Sequence, residues 1–357
     1  MAGGETKLAK KEYGKADERI MDVVYRHLGS PNQSVISGPR KGLDNAFIKL
    51  ADGSVMVVST DPISIIPRIG VRKSAWLSAH LIASDVVTSG IPPSFASFSL
   101  NLPEVLDPSQ RAEYVAALGD SCKELGVAIV SGHTGTYPGA GFTVVGSGTM
   151  FAFSKDGKYV NPAMARSGDR VLMTKGAAIE ATASLSWAFP LYTERKVGRR
   201  IARKGRALVD QCTVVKDALV ASAIGLGRNA VTSMHDATEG GVLGALDEMA
   251  EASSKRFEID TDTILVGEEA KAVCAAFDID PLTSLSEGTL LLTCSPSRGE
   301  EVKDGLVSAG LPVTEIGSVR GGSGVWLTGR RRRPRRFSPR ADGYWRAYHQ
   351  GVRAGIA

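Results

Sequence analysis

The chain is poor in the side chains that build soft-metal and redox sites, with four cysteines and five histidines in 357 residues. Cys122, Cys212, Cys274 and Cys294 are far apart and form no Cys-x-x-Cys pair, which excludes a zinc ribbon or a dithiol couple and leaves buried free thiols. No apolar run reaches the roughly 18 residues of a membrane span, and Met1 to Lys15 mixes Lys and Glu without an apolar core. Neither a span nor a secretory leader is expected, so the reading is a cytoplasmic protein without a membrane partner.

What remains is ordinary globular material, 43% hydrophobic and 23% charged, and long enough for two domains with cores of their own. Much of the net charge of +5 comes from Arg330 to Arg333 with Arg335 and Arg336. That run has no interleaved aromatic before Tyr344 and Trp345, so it reads as a solvated basic tail and nucleic acid is not expected as a partner. A polyanion binder acting through this run is the remotest of the functional readings.

Periodicity places the elements. A polar helical segment extends to about Leu28, and apolar runs at Phe47 to Leu50 and Val55 to Thr60 flank Asp52-Gly53, a hairpin signal. Ser74 can cap a helix running from Trp76 to Val87, and Gly90-Ile91-Pro92-Pro93 ends it. Arg111 to Leu125 predicts another helix, Val127 to Val130 a buried strand, and Phe142 to Phe153 a long strand. The turn Asp156-Gly157-Lys158 marks a domain boundary. Beyond it, Val171 to Thr174 is a strand and Lys175-Gly176 leads into a helix. Strands at Thr289 to Thr293 and Thr314 to Val319 alternate with helices near Gly267 to Phe277 and Glu300 to Ala309. The division is 1–157, 158–329 and a tail at 330–357, and the fold class is α/β (α+β).

The chemistry centres on His235-Asp236-Ala237-Thr238-Glu239-Gly240-Gly241, a carboxylate on a small-residue turn just ahead of an amphipathic helix. Unpaired N–H groups at such a helix start attract anions. Three more aspartates sit at turns or in apolar surroundings: Asp44, Asp61 and Asp85. Asp61 closes the apolar strand at Val58 and is placed at a sheet's carboxyl end, although an Asx turn before Pro62 explains it equally well. If the four meet, like charges about 4 Å apart repel by about 4 kcal/mol at an effective dielectric near 20, so cations are required. Oxygen donors alone suit Mg²⁺ shared with nucleotide phosphates, and zinc ligands are too sparse.

Ser59-Thr60-Asp61, the helix end Ala83 to Pro92, Ser131-Gly132-His133-Thr134 and the Asp236 turn follow one another in a set order. In this the chain resembles the aminoimidazole ribonucleotide (AIR) synthetase superfamily from about Gly38 to Val319. That group includes the hydrogenase maturation protein HypE, thiamine-monophosphate kinase and selenophosphate synthetase. Asp280-Pro281-Leu282 and Ser286-Glu287-Gly288 make the second half most similar to HypE, whereas the Gly132-His133 loop is nearer selenophosphate synthetase.

The resemblance implies a two-domain PurM-like fold, with an N-terminal sheet that forms a β-barrel across a homodimer and a C-terminal α/β domain behind it. ATP and Mg²⁺ would bind between them, on Asp44, Asp61, Asp85 and Asp236, with Gly240 and Gly241 admitting the phosphates. Asp61, Asp236 and His133 are the catalytic candidates. Asn45, Thr60, Gly132, Thr134, Thr238 and Lys175 are further nucleotide or anion contacts, although Lys175 at a strand end and His133 in a turn also have plain structural readings. The implied activity is ATP-dependent activation of a small-molecule acceptor by γ-phosphoryl transfer, and the alternative is a nucleotide-binding scaffold without turnover. The chain ends Gly355-Ile356-Ala357 where HypE has a modified cysteine, its first cysteine is Cys122, and Leu43-Asp44 stands where thiamine-monophosphate kinase has paired aspartates. Those departures leave the acceptor open.

Overall fold

The protein is described here from a computed structural model covering residues 14–16, 18–329 and 333–356. The first unit contains α1 (Glu18–Arg26), β1 (Val35–Ser37), β2 (Ala46–Lys49), β3 (Val55–Ser64), α2 (Val71–Val87), β4 (Pro93–Leu102), α3 (Pro108–Glu124), β5 (Ala128–Thr136) and β6 (Val144–Ser154). Its strands form one sheet in the order β1-β2-β3-β6-β4-β5, antiparallel except for β4 and β5. Apolar residues of α2 and α3 bury one face of this sheet, with Ile82, Val86, Tyr114 and Leu118 against Val57, Phe98 and Met150. Among the described residues the edges β1 and β5 do not pair with each other, so the sheet stays open within one chain.

The second unit runs β7 (Arg170–Thr174), α4 (Ile179–Ala188), α5 (Pro190–Val197), α6 (Arg199–Ala207), α7 (Val215–Ile224), β8 (Val231–Ala237), α8 (Gly241–Ser253), β9 (Arg256–Asp260), α9 (Glu268–Ala276), β10 (Thr289–Cys294), α10 (Gly299–Ser308), β11 (Val313–Arg320), β12 (Gly324–Thr328), β13 (Arg335–Arg336) and α11 (Gly343–Arg353). Its sheet order is β13-β12-β9-β11-β7-β10-β8. Alternation along β7 and β10 sends Val171, Met173 and Leu291 into a core with α8, and Leu172, Leu290 and Leu292 into another with α7 and α10. Both faces are therefore covered, which is why these strands read as continuous apolar runs. No described helix is long and apolar enough to cross a membrane.

Four local expectations need correction. Ser74 does not cap α2; the helix starts at Val71 after Gly70, and the Ser74 hydroxyl instead donates to the Gly70 carbonyl at 2.7 Å. The strand after Val127 is not buried, because β5 is the sheet's edge and is exposed almost throughout. Asp61 does not end its strand. Only Val55 to Val58 pair with β2, so beyond Ser59 one side of β3 is free and Pro62 removes no ladder donor there.

The residues after the arginine run are not a solvated tail either. β13 adds to β12, and α11, capped by the Asp342 carboxylate, packs Tyr344 and Ala347 against Ala181, Leu185, Phe189 and Ile279. Apolar spacing in the last helix outweighs the charge run before it. Tyr344→Ala is expected to destabilise the protein by about 3 kcal/mol in denaturant unfolding, where a solvated tail would give no change.

Candidate carboxylate site

Four aspartates distant in the chain converge where the two units meet. Asp44 lies in the loop before β2, Asp61 projects from β3, Asp85 comes from the last turns of α2, and Asp236 is the penultimate residue of β8. Asp85 and Asp236 are buried, and neither Asp236 oxygen has a hydrogen-bond partner. Glu287, in the turn before β10, joins them and leaves Oε1 unpartnered. Asp236 can be buried this way because β8 is covered on every side and ends in a turn made of glycines. Gly240 and Gly241 have φ of 79° and 62°, and a Cβ on Gly241 would come within 2.7 Å of the Ser284 carbonyl oxygen.

The mutual repulsion of these groups is visible in their proton affinities. Burial and then the charges of Asp44 and Asp236 push Asp61 up to about 7. Burial, with Asp61 and Asp236 beside it, raises Asp85 well above the ordinary carboxylate range, and burial with Asp236 and Glu180 does the same to Glu287. Ser59 shows how a protonated Asp85 fits. Its hydroxyl lies 3.0 Å from the Asp44 carbonyl and 2.8 Å from Asp85 Oδ2. A hydroxyl has one proton, so Ser59 donates to the carbonyl and accepts from the Asp85 acid.

One side of the cluster has its own cations. His235 Nδ1 is 2.9 Å from Asp44 Oδ2 and 3.7 Å from Asp236 Oδ1, while Nε2 is 3.0 Å from Glu248 Oε2. Burial alone would favour neutral imidazole, but these carboxylates outweigh it and hold His235 protonated. Lys15 reaches Glu248 Oε1 at 2.9 Å. Burial would raise the Asp44 carboxyl too, yet His235 and Lys15 keep it at about 2. An imidazolium has no lone pair to give a metal, so the donors facing the cluster are oxygens. Asp44 and Asp236 each place one carboxylate oxygen within 4.8 Å of the other, with a ring nitrogen of the protonated His235 equally close.

The other anticipated contacts divide. Asn45 is buried beside the cluster, its amide donating to the Asp85 carbonyl at 2.7 Å and to Thr88 Oγ1 at 2.9 Å. The Thr238 carbonyl closes the glycine turn by accepting from the Gly241 N–H. Thr60 is not brought in: strand alternation turns it to the opposite face from Ser59 and Asp61, where it meets Thr149 Oγ1 at 2.8 Å. Gly132, His133 and Thr134 lie on β5, separated from β3 by β6 and β4, and His133 Nε2 meets the Tyr137 hydroxyl at 2.6 Å. Lys175 is turned inward, giving its ammonium to the Thr213 carbonyl at 2.6 Å and Asp217 Oδ2 at 3.1 Å. These partners occupy it as a strut between β7 and the start of α7.

The sequence does not single out Glu248, Lys15 or Glu239, and Glu287 is not among the residues it assigns to the site. For Glu287 the signal was the Ser286-Glu287-Gly288 motif. Glu248, one turn and more into α8, carries no local signal, and Lys15 sits in a polar segment.

Residues 42–152 match the family model described as AIR synthase related protein, N-terminal domain, and residues 166–328 match the corresponding C-terminal domain. Carbamoyl dehydratase HypE of Rhizobium leguminosarum bv. viciae is 24% identical over 313 residues, spanning 85% of this chain and 82% of that protein. Thiamine-monophosphate kinase of Methanopyrus kandleri is 29% identical over 322 residues, spanning 87% and 92%. A crystal structure of HypE in complex with ATP superposes with a TM-score of 0.67 at 22% identity, covering 92% of this chain and 96% of that one. With both halves matched in order, the chain belongs to the AIR synthase related family.

Proposed function

We propose that this protein is a Mg²⁺-dependent, ATP-using enzyme that transfers the γ-phosphoryl group to a small-molecule acceptor. The observation that carries the reading is the meeting of half-buried Asp44 and Asp61 with buried Asp85 and Asp236, with neither Asp236 oxygen hydrogen-bonded. Such a cluster is costly without a cation, since removing charge from water is repaid only by pairing. Its oxygen donors fit a small hard cation. Mg²⁺, when bound, would neutralise phosphate charge and orient the triphosphate.

In the transfer, the bond from Pγ to the ADP oxygen breaks as a bond from Pγ to the acceptor oxygen forms, and the acceptor's proton leaves. Asp61, the cluster carboxylate that stays part-exposed beside Asp44, is the residue assigned to take that proton. Asp44, tied to His235, stays ionised and serves as a fixed ligand. Asp85 and Ser59 hold the Asp44 backbone in place from behind. Little more is asked of a protein in phosphoryl transfer, where positioning and electrostatics do most of the catalysis. The relatives support this reading, one being a kinase by name and another having been crystallised with ATP.

The homodimer belongs to the same proposal. β5 is a nine-residue edge strand with Ile129 and Val130 exposed, and Phe95 and Val144 are exposed on β4 and β6 of the same sheet. An edge of that length and character is normally covered. A second copy across it would extend the sheet toward the expected barrel and cover the Gly132-His133-Thr134 segment.

Two measurements check the site. Asp236→Asn is expected to weaken Mg-dependent ATP binding in calorimetry by at least tenfold while the fold survives, and an unchanged affinity would remove the carboxylate from the site. The second follows from Asp61. Its carboxyl keeps its proton to about 7 when folded but loses it near 3.8 when unfolded. Between those values the folded form binds more protons, so its contribution makes metal-free stability fall as pH rises, with the full penalty above 7. Asp61→Asn should therefore stabilise the metal-free protein by about 1–3 kcal/mol at pH 8 and hardly at all at pH 4. Equal effects at both pH values would show that Asp61 is not titrating as described.

A further inference from the structure

The segment from Arg195 to Arg206 carries seven arginines and lysines and no acidic residue, whereas the rest of the chain holds slightly more acidic than basic residues. It spans the end of α5 and nearly all of α6, two short helices that meet at Gly198, whose φ of 83° suits a residue without a side chain. The apolar face of α6 fixes it in place. Ile201 and Ala202 are buried, and Gly205 packs so closely on α4 that a Cβ there would stand 2.6 Å from the Ser186 hydroxyl. Apart from Ala207, the side chains left exposed on α6 are the cations Arg199, Arg200, Arg203 and Lys204.

Part of this charge is neutralised within the fold. Arg200 and Lys204 reach Glu268 at 2.7 Å and 3.5 Å, Arg206 reaches Glu194 at 3.0 Å, and the Lys196 ammonium lies over the Tyr192 ring. Among the described residues, Arg195, Arg199 and Arg203 make no hydrogen bond or ion pair. Their placement does not serve the fold. Arg199 stands with Arg200 in the first turn of α6, where the helix dipole favours acids, and Arg199 and Arg203 are like charges one turn apart on the same face. An anion from outside, lying along this row, would offset both effects.

The surroundings narrow the kind of anion. A membrane surface would need an apolar face to insert, and that of α6 is turned into the core. A protein interface gathers aromatic and apolar side chains at its centre. Among the described residues of α5 and α6, Leu191 is the only large aliphatic side chain exposed. A single nucleic-acid strand stacks its bases on open aromatic rings. Here the Tyr192 ring is packed on Phe277 and covered by Lys196, and Trp187 gives its indole N–H to the Arg206 carbonyl. A duplex presents a continuous row of phosphates and asks only for cations.

We propose that α5 and α6 form a docking surface for a nucleic-acid duplex, held by its phosphate backbone on Arg195, Arg199 and Arg203 without reading the bases. The surface is separate from the run Arg330 to Arg336, and it is independent of how the carboxylate site is used.

The test uses the full chain and fluorescence anisotropy with a short labelled DNA duplex at a series of salt concentrations. Binding is expected at low salt, with log Kd rising against log salt at a slope of about 3, for about three phosphates neutralised. A duplex of unrelated sequence should bind equally well. Arg199→Ala/Arg203→Ala should weaken binding about tenfold or more and lower the slope by about 2, while Arg199→Lys/Arg203→Lys, which keeps both charges, retains the slope. Neither side chain has a partner in the fold, so the alanine variant should unfold in denaturant no earlier than the parent and bind a Mg²⁺-ATP analogue as the parent does. Absence of salt-dependent binding, or an affinity unchanged in the alanine variant, overturns the proposal. Poly-glutamate bound as tightly as the duplex also overturns it, by assigning the surface to an acidic protein, and so does tighter binding of a single strand of the same length.

Discussion

The constraint on which the rest of this structure depends is the repulsion between carboxylates that the fold forces together out of water. Half-buried Asp61 meets buried Asp85, Asp236 and Glu287, and desolvation and mutual charge raise the proton affinities of Asp61, Asp85 and Glu287. A fold maintains such a cluster only where something else offsets the cost. His235 and Lys15 neutralise the Asp44 and Glu248 side. His235 also lies 3.7 Å from Asp236 Oδ1, but among the described residues no cation is paired with Asp61, Asp85 or Glu287, and this asymmetry gives the site its direction.

The two units divide this task. The first sheet presents Asp61 from a strand stretch that is paired on one side only, with Asp85 on the helix packed behind it. The second sheet is buried on both faces and drives His235 and Asp236 into the interior, where a one-sided sheet would have let one of them turn to solvent. The glycine turn after Asp236 then brings α8 round so that Glu248 reaches back to His235. The chain ends complete the enclosure, since Lys15 from one and Trp345 from the other both close on Glu239.

Much of this was legible in the residues. The apolar periods located most strands and helices, and the Asp52-Gly53 hairpin pairs as its turn chemistry requires. Asp44, Asp61, Asp85 and Asp236 were singled out and do come together. Local reading failed where tertiary context decides. Val127 to Val130 is apolar enough for a core strand but ends at an open sheet edge, and Thr60 looked like part of the Asp61 motif until strand alternation turned it away. Lys175 looked free because its partners, Thr213 and Asp217, are some forty residues further along the chain. The arginine run hid a docked helix behind it, because charge dominates a composition reading while Tyr344 and Ala347 are set by helical spacing. The role of His235 could not be read locally either, since the carboxylates that keep it protonated come from separate elements.

The central claim is that this cluster exists to hold a divalent cation and the phosphates it carries. The most direct measurement is a crystal grown with Mn²⁺ and a non-hydrolysable ATP analogue, with data collected at the manganese absorption edge. The account predicts an anomalous peak among the carboxylates of Asp44, Asp61, Asp85 and Asp236 with the triphosphate beside it. Manganese and triphosphate bound elsewhere, with these four side chains protonated and bonded to one another, would contradict it.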